Sequence, residues 1–259
     1  MTLFPTYEVG SLPKLPLRIK VLSRKTISTI EIDELEKYAG SLKVDLSSSA
    51  ILHKYARENY HLTPIEKKMI IDDNALLNIR LQESCGFDYV YDGEARRTEM
   101  YRYEAQQIAG FEDYPEMLRS RGPDSWQASI CIAEPRLKFS RQELPVLQEF
   151  SFANQHATHA LKVPLDDPYM IANMTGNAFY GQQFNALQPS PRRYEAKRAL
   201  TLALARNIIR PQVEALAAAG ASWIQLDVPS ATIDPLHVPI MVEGINAVVA
   251  GIDKVKLSL

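Results

Sequence analysis

Phe87-Asp-Tyr-Val-Tyr-Asp-Gly-Glu-Ala-Arg-Arg-Thr-Glu-Met-Tyr101 opens as a strand and stops abruptly in a charged loop. Phe87, Tyr89, Val90 and Tyr91 suit a pleated, buried surface, and Gly93 ends the run. Asp92 and Glu94 therefore fall just past the strand's C-terminal end, where barrel and open-sheet α/β folds carry their chemistry. Trp223-Ile-Gln-Leu-Asp227 repeats the arrangement, closed by Val228-Pro229-Ser230. If both strands belong to one parallel sheet, the carboxylates of Glu94 and Asp227 face one pocket.

Outward from these two segments the chain reads as strands alternating with helices. Thr6 to Ser11 is a first short strand ending in Gly10-Ser11. A long excursion follows, with short helices at Ile32 to Tyr38 and Ser49 to Asn59, of the kind that forms a lid or wall. Thr63-Pro-Ile-Glu66 is a capping box with proline at the first helical position. Its helix carries Ile65, Met69, Leu76 and Ile79 near one face and stops at Gly86. Ser125 to Ile132 is a third strand, and Ser140-Arg-Gln-Glu143 opens a helix toward His159. Leu161 to Pro164 is a fourth strand, ended by its proline. Tyr194 to Ala219 is a long helix that Pro211 kinks or divides. After the Trp223 strand, Pro239 to Val249 is helical and Lys254 to Leu259 begins a sixth strand. No linker or low-complexity segment divides the series, so one domain over residues 1–259 is expected, with a parallel sheet and right-handed crossovers.

The 259 residues suffice for one large α/β core. A net charge of −2, with Arg pairs at 96–97 and 192–193 isolated, leaves no electrostatic footprint for nucleic acid or an acidic membrane. Cys85 and Cys131 make neither a disulfide framework nor a zinc knuckle and read as buried thiols in a reducing compartment. No stretch approaches the ~18 apolar residues of a membrane span, and no signal-peptide core opens the chain. A cytoplasmic protein is expected.

Each polar candidate has a bland alternative. Glu94 can pair with Arg96 or Arg97, and Asp227 can cap the following turn. His156 and His159, spaced i, i+3, read as solvated or packing residues, whereas His237 follows Asp227 and belongs to the strand ends. One histidine makes no zinc site. Trp126 and Cys131 read as core. No phosphate loop or dinucleotide fingerprint is present.

Gly93-Glu94-Ala95-Arg96-Arg97-Thr98-Glu99-Met100 resembles the Gly-Glu-x-x-Arg-x-Asp/Glu-Met segment of cobalamin-independent methionine synthases. Ile224 to Ser230 is similar to that family's Gln-Ile-Asp-Glu-Pro-Ala segment, and Val9-Gly10-Ser11-Leu12-Pro13 to its Ile-Gly-Ser-Phe/Tyr-Pro opening. Lys162-Val163-Pro164, with Pro168 to Ala172, resembles its Lys-Val-Pro…Gly-Pro-Tyr-Thr-Leu-Ala stretch. The four motifs stand in the family's order from residue 9 to residue 230.

The resemblance implies a (β/α)₈ TIM barrel, of which about six of eight strands are expected here. It further implies that Glu94 and Asp227 bind the α-amino group of homocysteine, and that Gly10 and Ser11 receive its carboxylate. An ammonium offers donors only, so converging carboxylates select it. The implied reaction moves a methyl group from a methyltetrahydrofolate-type donor to a zinc-bound thiolate. The family's zinc ligands, a His-x-Cys followed by Glu and Cys, have no counterpart in these residues. The chain is therefore expected to be C-terminally incomplete and free of catalytic zinc. Expressed alone it is expected to be inactive, and to associate with itself or with a completing chain. Asp166-Asp167 replaces the usual Thr-Gly, Met170 replaces a threonine, and Val228 stands where glutamate is common. Asp166, Tyr169, Thr175 and Asn177 are expected to face the same pocket. Alkyl transfer to another thiol, or a non-catalytic split-barrel subunit, are the alternatives.

Overall fold

In the computed structural model, residues 4–58, 60–97, 100–121, 124–229 and 234–259 are described, without the side chains at 100 and 115–127. The elements in chain order are α1 (Pro16–Leu22), α2 (Thr29–Ser41), α3 (Ser49–Glu58), α4 (Pro64–Ser84), β1 (Tyr89–Val90), α5 (Met100–Ala105), β2 (Ile108–Arg121), β3 (Asp124–Leu137) and α6 (Pro145–His156). Then follow β4 (Ala160–Asp166), α7 (Pro168–Met174), β5 (Gly176–Asn177), α8 (Ala178–Gln183), α9 (Pro189–Leu204), α10 (Arg210–Ala218), β6 (Trp223–Asp227), α11 (Val238–Val249) and β7 (Lys256–Ser258). The chain divides into two compact units, Met1–Arg97 with Glu149–Lys162, and Thr98–Gln148 with Val163–Leu259.

In the first unit, Leu17 and Val21 of α1, Ile32 of α2, Leu52 and Tyr55 of α3 and Ile70 of α4 form one apolar core. The Thr63 box is complete: its hydroxyl accepts from the Glu66 N–H, and Glu66 accepts from the Thr63 N–H in return. β1 pairs in parallel with the opening of β4, Tyr89 opposite Ala160 and Val90 opposite Leu161. The strand expected at Thr6 to Ser11 is instead an extended segment without a ladder. The Thr6 carbonyl accepts from the Tyr89 N–H at 3.1 Å, but the Thr6 N–H is taken by the Asp88 carboxylate at 2.8 Å. That side-chain bond replaces the carbonyl a neighbouring strand would offer.

In the second unit the later residues of β4, then β6 and β7, lie side by side, and β6 and β7 run parallel. β4 continues through Pro164 to Asp166 rather than ending at the proline. β1 pairs only with Ala160 and Leu161, so past Leu161 one flank of β4 has no need of that N–H. β2 and β3 form an antiparallel hairpin, with β5 parallel to β3. The hairpin departs from the expected run of alternating strands and helices, in which the β2 segment carried no element. β6 has the expected bounds. α9 and α10 are joined by one π-helical turn, Ala205–Ile209, immediately before Pro211, where the missing N–H loosens the bonding pattern. Tyr169, Ile240 and Met241 form a core cluster against Tyr194 and Val228. The fold is mixed α/β with parallel strand pairs, and the described strands close no barrel.

Candidate functional site

The chain leaves β1 through a tight turn. The Ala95 N–H donates to the Asp92 carbonyl at 3.3 Å, and both central residues are left-handed, Gly93 at φ 65° and Glu94 at φ 57°. Glycine adopts this conformation freely; a glutamate there costs of order 1 kcal/mol and persists because its surroundings hold it. One Asp92 carboxylate oxygen accepts from the Glu94 N–H at 2.8 Å. A Cβ on Gly93 would stand 2.6 Å from Asn78 Nδ2 and 2.8 Å from Leu12 Cβ, so the turn is also packed shut.

The Glu94 side chain is buried beside Arg97, whose Nη1 lies 3.5 Å from Glu94 Oε1. The ion pair anticipated as a solvated alternative is therefore present but buried. Arg97 Nε and Nη2 donate to Glu149 Oε2 at 3.3 and 3.1 Å, so one guanidinium is shared by two buried carboxylates. Arg96 turns away, donating to Asp92 and Asp72 while lying 3.9 Å over the Phe152 ring. Burial, then the neighbouring charge of Glu149, raises the Asp92 carboxyl above the ordinary range; Arg97 and Arg96 oppose the rise. Lys14 stands in the same field, its pKa lowered by burial and supported by Glu94.

α4 supplies a part of this site that the apolar-face reading missed. Ile65, assigned to the buried face, is exposed, while Asn74, Asn78 and Gln82 are buried. Gln82 accepts from the Tyr91 N–H and donates to the Tyr91 carbonyl, acting on β1's end as a neighbouring strand would. Asn78 donates to the Asp92 carbonyl at 3.0 Å. Asn74 accepts from the Leu15 N–H and from Arg18. The signal was in the sequence: three amide side chains at i, i+4 and i+8 share one helix face. Leu12 N–H donates to the Gly93 carbonyl at 3.2 Å, which ties the segment that follows Gly10 and Ser11 to this turn.

Asp227 belongs to the second unit. It is half-buried at the end of β6 and accepts from Gln225 Nε2, while its carbonyl accepts from the Asp167 N–H at 3.1 Å. Asp166 and Asp167 are both buried. Asp167 caps α7, one oxygen accepting from the Tyr169 and Met170 N–H groups. Its other oxygen has no partner among the described residues, and burial pushes its carboxyl up to about 7 despite those two bonds. Tyr169 reaches His237 Nδ1 at 2.8 Å, and Thr175 and Asn177 line a cavity with His237.

The described donors do not fit a catalytic zinc. Cys131 is buried, with its thiol directed at the Ala133 carbonyl and pushed up to about 12 by burial. Cys85, expected to pack at the end of α4, is exposed. The three-donor group Asp33, Glu36 and His53 lies on α2 and α3 and contains no thiol. His156 and His159 bond the Phe152 and Phe87 carbonyls through Nδ1, which are structural roles. No described helix is long and apolar enough to cross a membrane. Trp126's side chain and Thr98, Glu99 and Ser230 of the motifs lie outside the described residues.

A methionine synthase from Thermococcus kodakarensis is 31% identical over 204 residues, 78% of this chain and 54% of the relative. A solved B12-independent methionine synthase from Shewanella sp. W3-18-1 superposes with TM-score 0.62 at 18% identity, covering 76% of this chain and 52% of the other. The chain belongs to the cobalamin-independent methionine synthase family. A 5-methyltetrahydropteroyltriglutamate–homocysteine methyltransferase from Synechococcus sp. is 31% identical over 179 residues, 68% of this chain and 21% of that relative. No family model matches the chain. This methionine synthase family member spans about half the length of the archaeal relatives it matches.

Proposed function

We propose that this chain serves methyl transfer from a methyltetrahydrofolate-type donor to the sulfur of homocysteine, within a (β/α)₈ barrel. The observation that carries the reading is Glu94: a buried carboxylate held in a left-handed backbone turn at the end of β1. A left-handed acidic residue in a closed, hydrogen-bonded loop supports that reading. The names of the relatives, methionine synthase and 5-methyltetrahydropteroyltriglutamate–homocysteine methyltransferase, support the same reaction.

In this reading Glu94 and Asp227 accept from the α-ammonium of homocysteine, and Gly10 and Ser11 donate to its carboxylate. The thiolate attacks the methyl carbon, the sulfur–carbon bond forms as the N5–carbon bond breaks, and N5 takes up a proton. The zinc that the resemblance implies finds no fitting donor set among the described residues, and no step runs through it. A second reading, alkyl transfer to a different thiol, is favoured by Asp166 and Asp167, which bury two carboxylates where the family has Thr-Gly.

Calorimetry of the chain with homocysteine and with simple thiols tests the first reading at the binding step, since the chain taken alone is expected to form no methionine. Homocysteine should bind, and should weaken at least tenfold in Glu94→Gln and in Asp227→Asn, the scale of one lost charge-assisted bond. Binding of simple thiols as tight as that of homocysteine, indifferent to both substitutions, would favour the second reading. Absence of binding by any thiol would refute both.

A further inference from the structure

Lys162 of β4 is 1% exposed, one of the largest side chains to be fully buried among the described residues. An ammonium is costly to take out of water, so a buried one calls for specific partners. Its Nζ donates to the Glu8 carbonyl at 2.5 Å and to the Val9 carbonyl at 3.3 Å. The Glu8 carboxylate lies 3.8 Å away and the Tyr7 ring centroid 4.9 Å away. These contacts fall on three consecutive residues, and those residues lead directly into Gly10-Ser11.

The same segment is anchored on either side. The Thr6 N–H and hydroxyl donate to the Asp88 carboxylate at 2.8 and 3.0 Å, and the Leu12 N–H reaches the Gly93 carbonyl at 3.2 Å. Anchors at the ends leave the peptide planes between them free to turn about their φ and ψ bonds. Lys162 supplies a third hold, and it acts on those planes.

In a regular strand successive carbonyls alternate in direction. Here the Glu8 and Val9 carbonyls converge on one ammonium, and the chain bends at Gly10. The Val9–Gly10 peptide is trans, so its C=O and N–H point in opposite directions. Drawing the Val9 carbonyl toward Lys162 therefore turns the Gly10 N–H to the far side. A ligand can reach the segment, since Val9 is 74% exposed and Ser11 is exposed as well.

We propose that Lys162 is a positioning residue for the carboxylate of the acceptor thiol. Its ammonium stays on the main chain and sets the Val9–Gly10 peptide, so that the Gly10 N–H and Ser11 donate to that carboxylate. The proposal rests on the homocysteine reading and assigns what holds its carboxylate-binding backbone in place.

Titration calorimetry of the full chain with L-homocysteine, 4-mercaptobutanoate and 3-aminopropane-1-thiol tests it on wild type, Lys162→Met and Lys162→Gln. The second thiol lacks only the amino group of homocysteine, and the third lacks only its carboxylate. Wild type should bind homocysteine about tenfold more tightly than the aminothiol, the scale of one charge-assisted bond. Both substitutions should weaken the two carboxylate thiols about tenfold and leave the aminothiol within about twofold. A carboxylate preference that survives both substitutions would overturn the proposal. An equal loss for all three thiols would also overturn it, because a merely structural lysine would damage the whole site. Loss of the native circular dichroism spectrum in both variants would do the same, by assigning Lys162 to the fold. A wild type that binds none of the three thiols would instead sink the homocysteine reading, and the proposal with it.

Discussion

Replacing Arg97 by Met should reveal what holds the Glu94 turn. Methionine fills most of the volume, so the main effect is electrostatic. Arg97 is buried and shared, 3.5 Å from Glu94 and 3.1 Å from Glu149, and without it both carboxylates stay buried without their guanidinium. Removing one partner of a buried pair costs about 3–5 kcal/mol, against which stands the relief of no longer burying the guanidinium itself. A net loss of about 3 kcal/mol at neutral pH is expected, a large share of a typical 5–15 kcal/mol stability. The loss should depend on pH in a definite sense. Asp92 is raised by burial and by Glu149 and held down in part by Arg97, so the substitution raises it further. An acid with a raised folded pKa binds more protons folded than unfolded, so stability falls as pH rises from the ordinary carboxylate value, about 4, toward the folded one. The deficit of Arg97→Met relative to wild type should therefore be largest near neutral pH and shrink toward pH 5. Urea denaturation followed by circular dichroism at several pH values measures it. A loss below about 1 kcal/mol, or one independent of pH, would mean that the guanidinium bridge does not organise this loop.

Other substitutions test neighbouring parts of the account. Gly93→Ala forces a Cβ into Asn78 and Leu12 at positive φ and should destabilise by about 2 kcal/mol or more; a thermal shift indistinguishable from wild type would contradict the packing. Asp167→Asn keeps an oxygen for the Tyr169 and Met170 N–H groups while removing a buried charge whose folded pKa is about 7. It should stabilise by about 1–3 kcal/mol at pH 8, net of burying the new amide, with the gain vanishing toward pH 5; an equal effect at both pH values would argue against the raised carboxyl. Lys43→Gly should stabilise by about 0.5–1 kcal/mol, because Lys43 sits at φ 56° after α2, where the Lys43 and Val44 N–H groups bond the Gly40 and Ala39 carbonyls. An unchanged urea midpoint would show that lysine bears that conformation without cost.

Legibility in the sequence followed how locally each feature is determined. β6 was readable to the residue because a short apolar run lies between Gly220 and Pro229. The Thr63 box was readable because both of its bonds span three residues. The β2–β3 hairpin was not, since Ile108 to Arg121 contains acidic residues and Pro115 and resembles a loop. Its pairing depends on β3, and Pro115 falls in the register shift between Asp113 and Leu118 on an edge strand, where a missing N–H is tolerated. Glu94 was identified as a strand-end carboxylate, but its partner Glu149 lies 52 residues further on, beyond the reach of spacing arguments. The amides of α4 are not legible from an apolar stripe, because Asn74, Asn78 and Gln82 are buried beside Ile70, Leu77 and Ile79.

We propose above all that carboxylates of this chain read the amino group of a thiol amino acid. Titration calorimetry with L-homocysteine and with 4-mercaptobutanoate, which lacks only the amino group, tests it most directly on wild type, Glu94→Gln and Asp227→Asn. Homocysteine should bind wild type at least about tenfold more tightly, the value of one charge-assisted bond. Each substitution should remove most of that preference while leaving 4-mercaptobutanoate within about twofold. Equal affinity of wild type for the two thiols, or a preference that survives both substitutions, would contradict it.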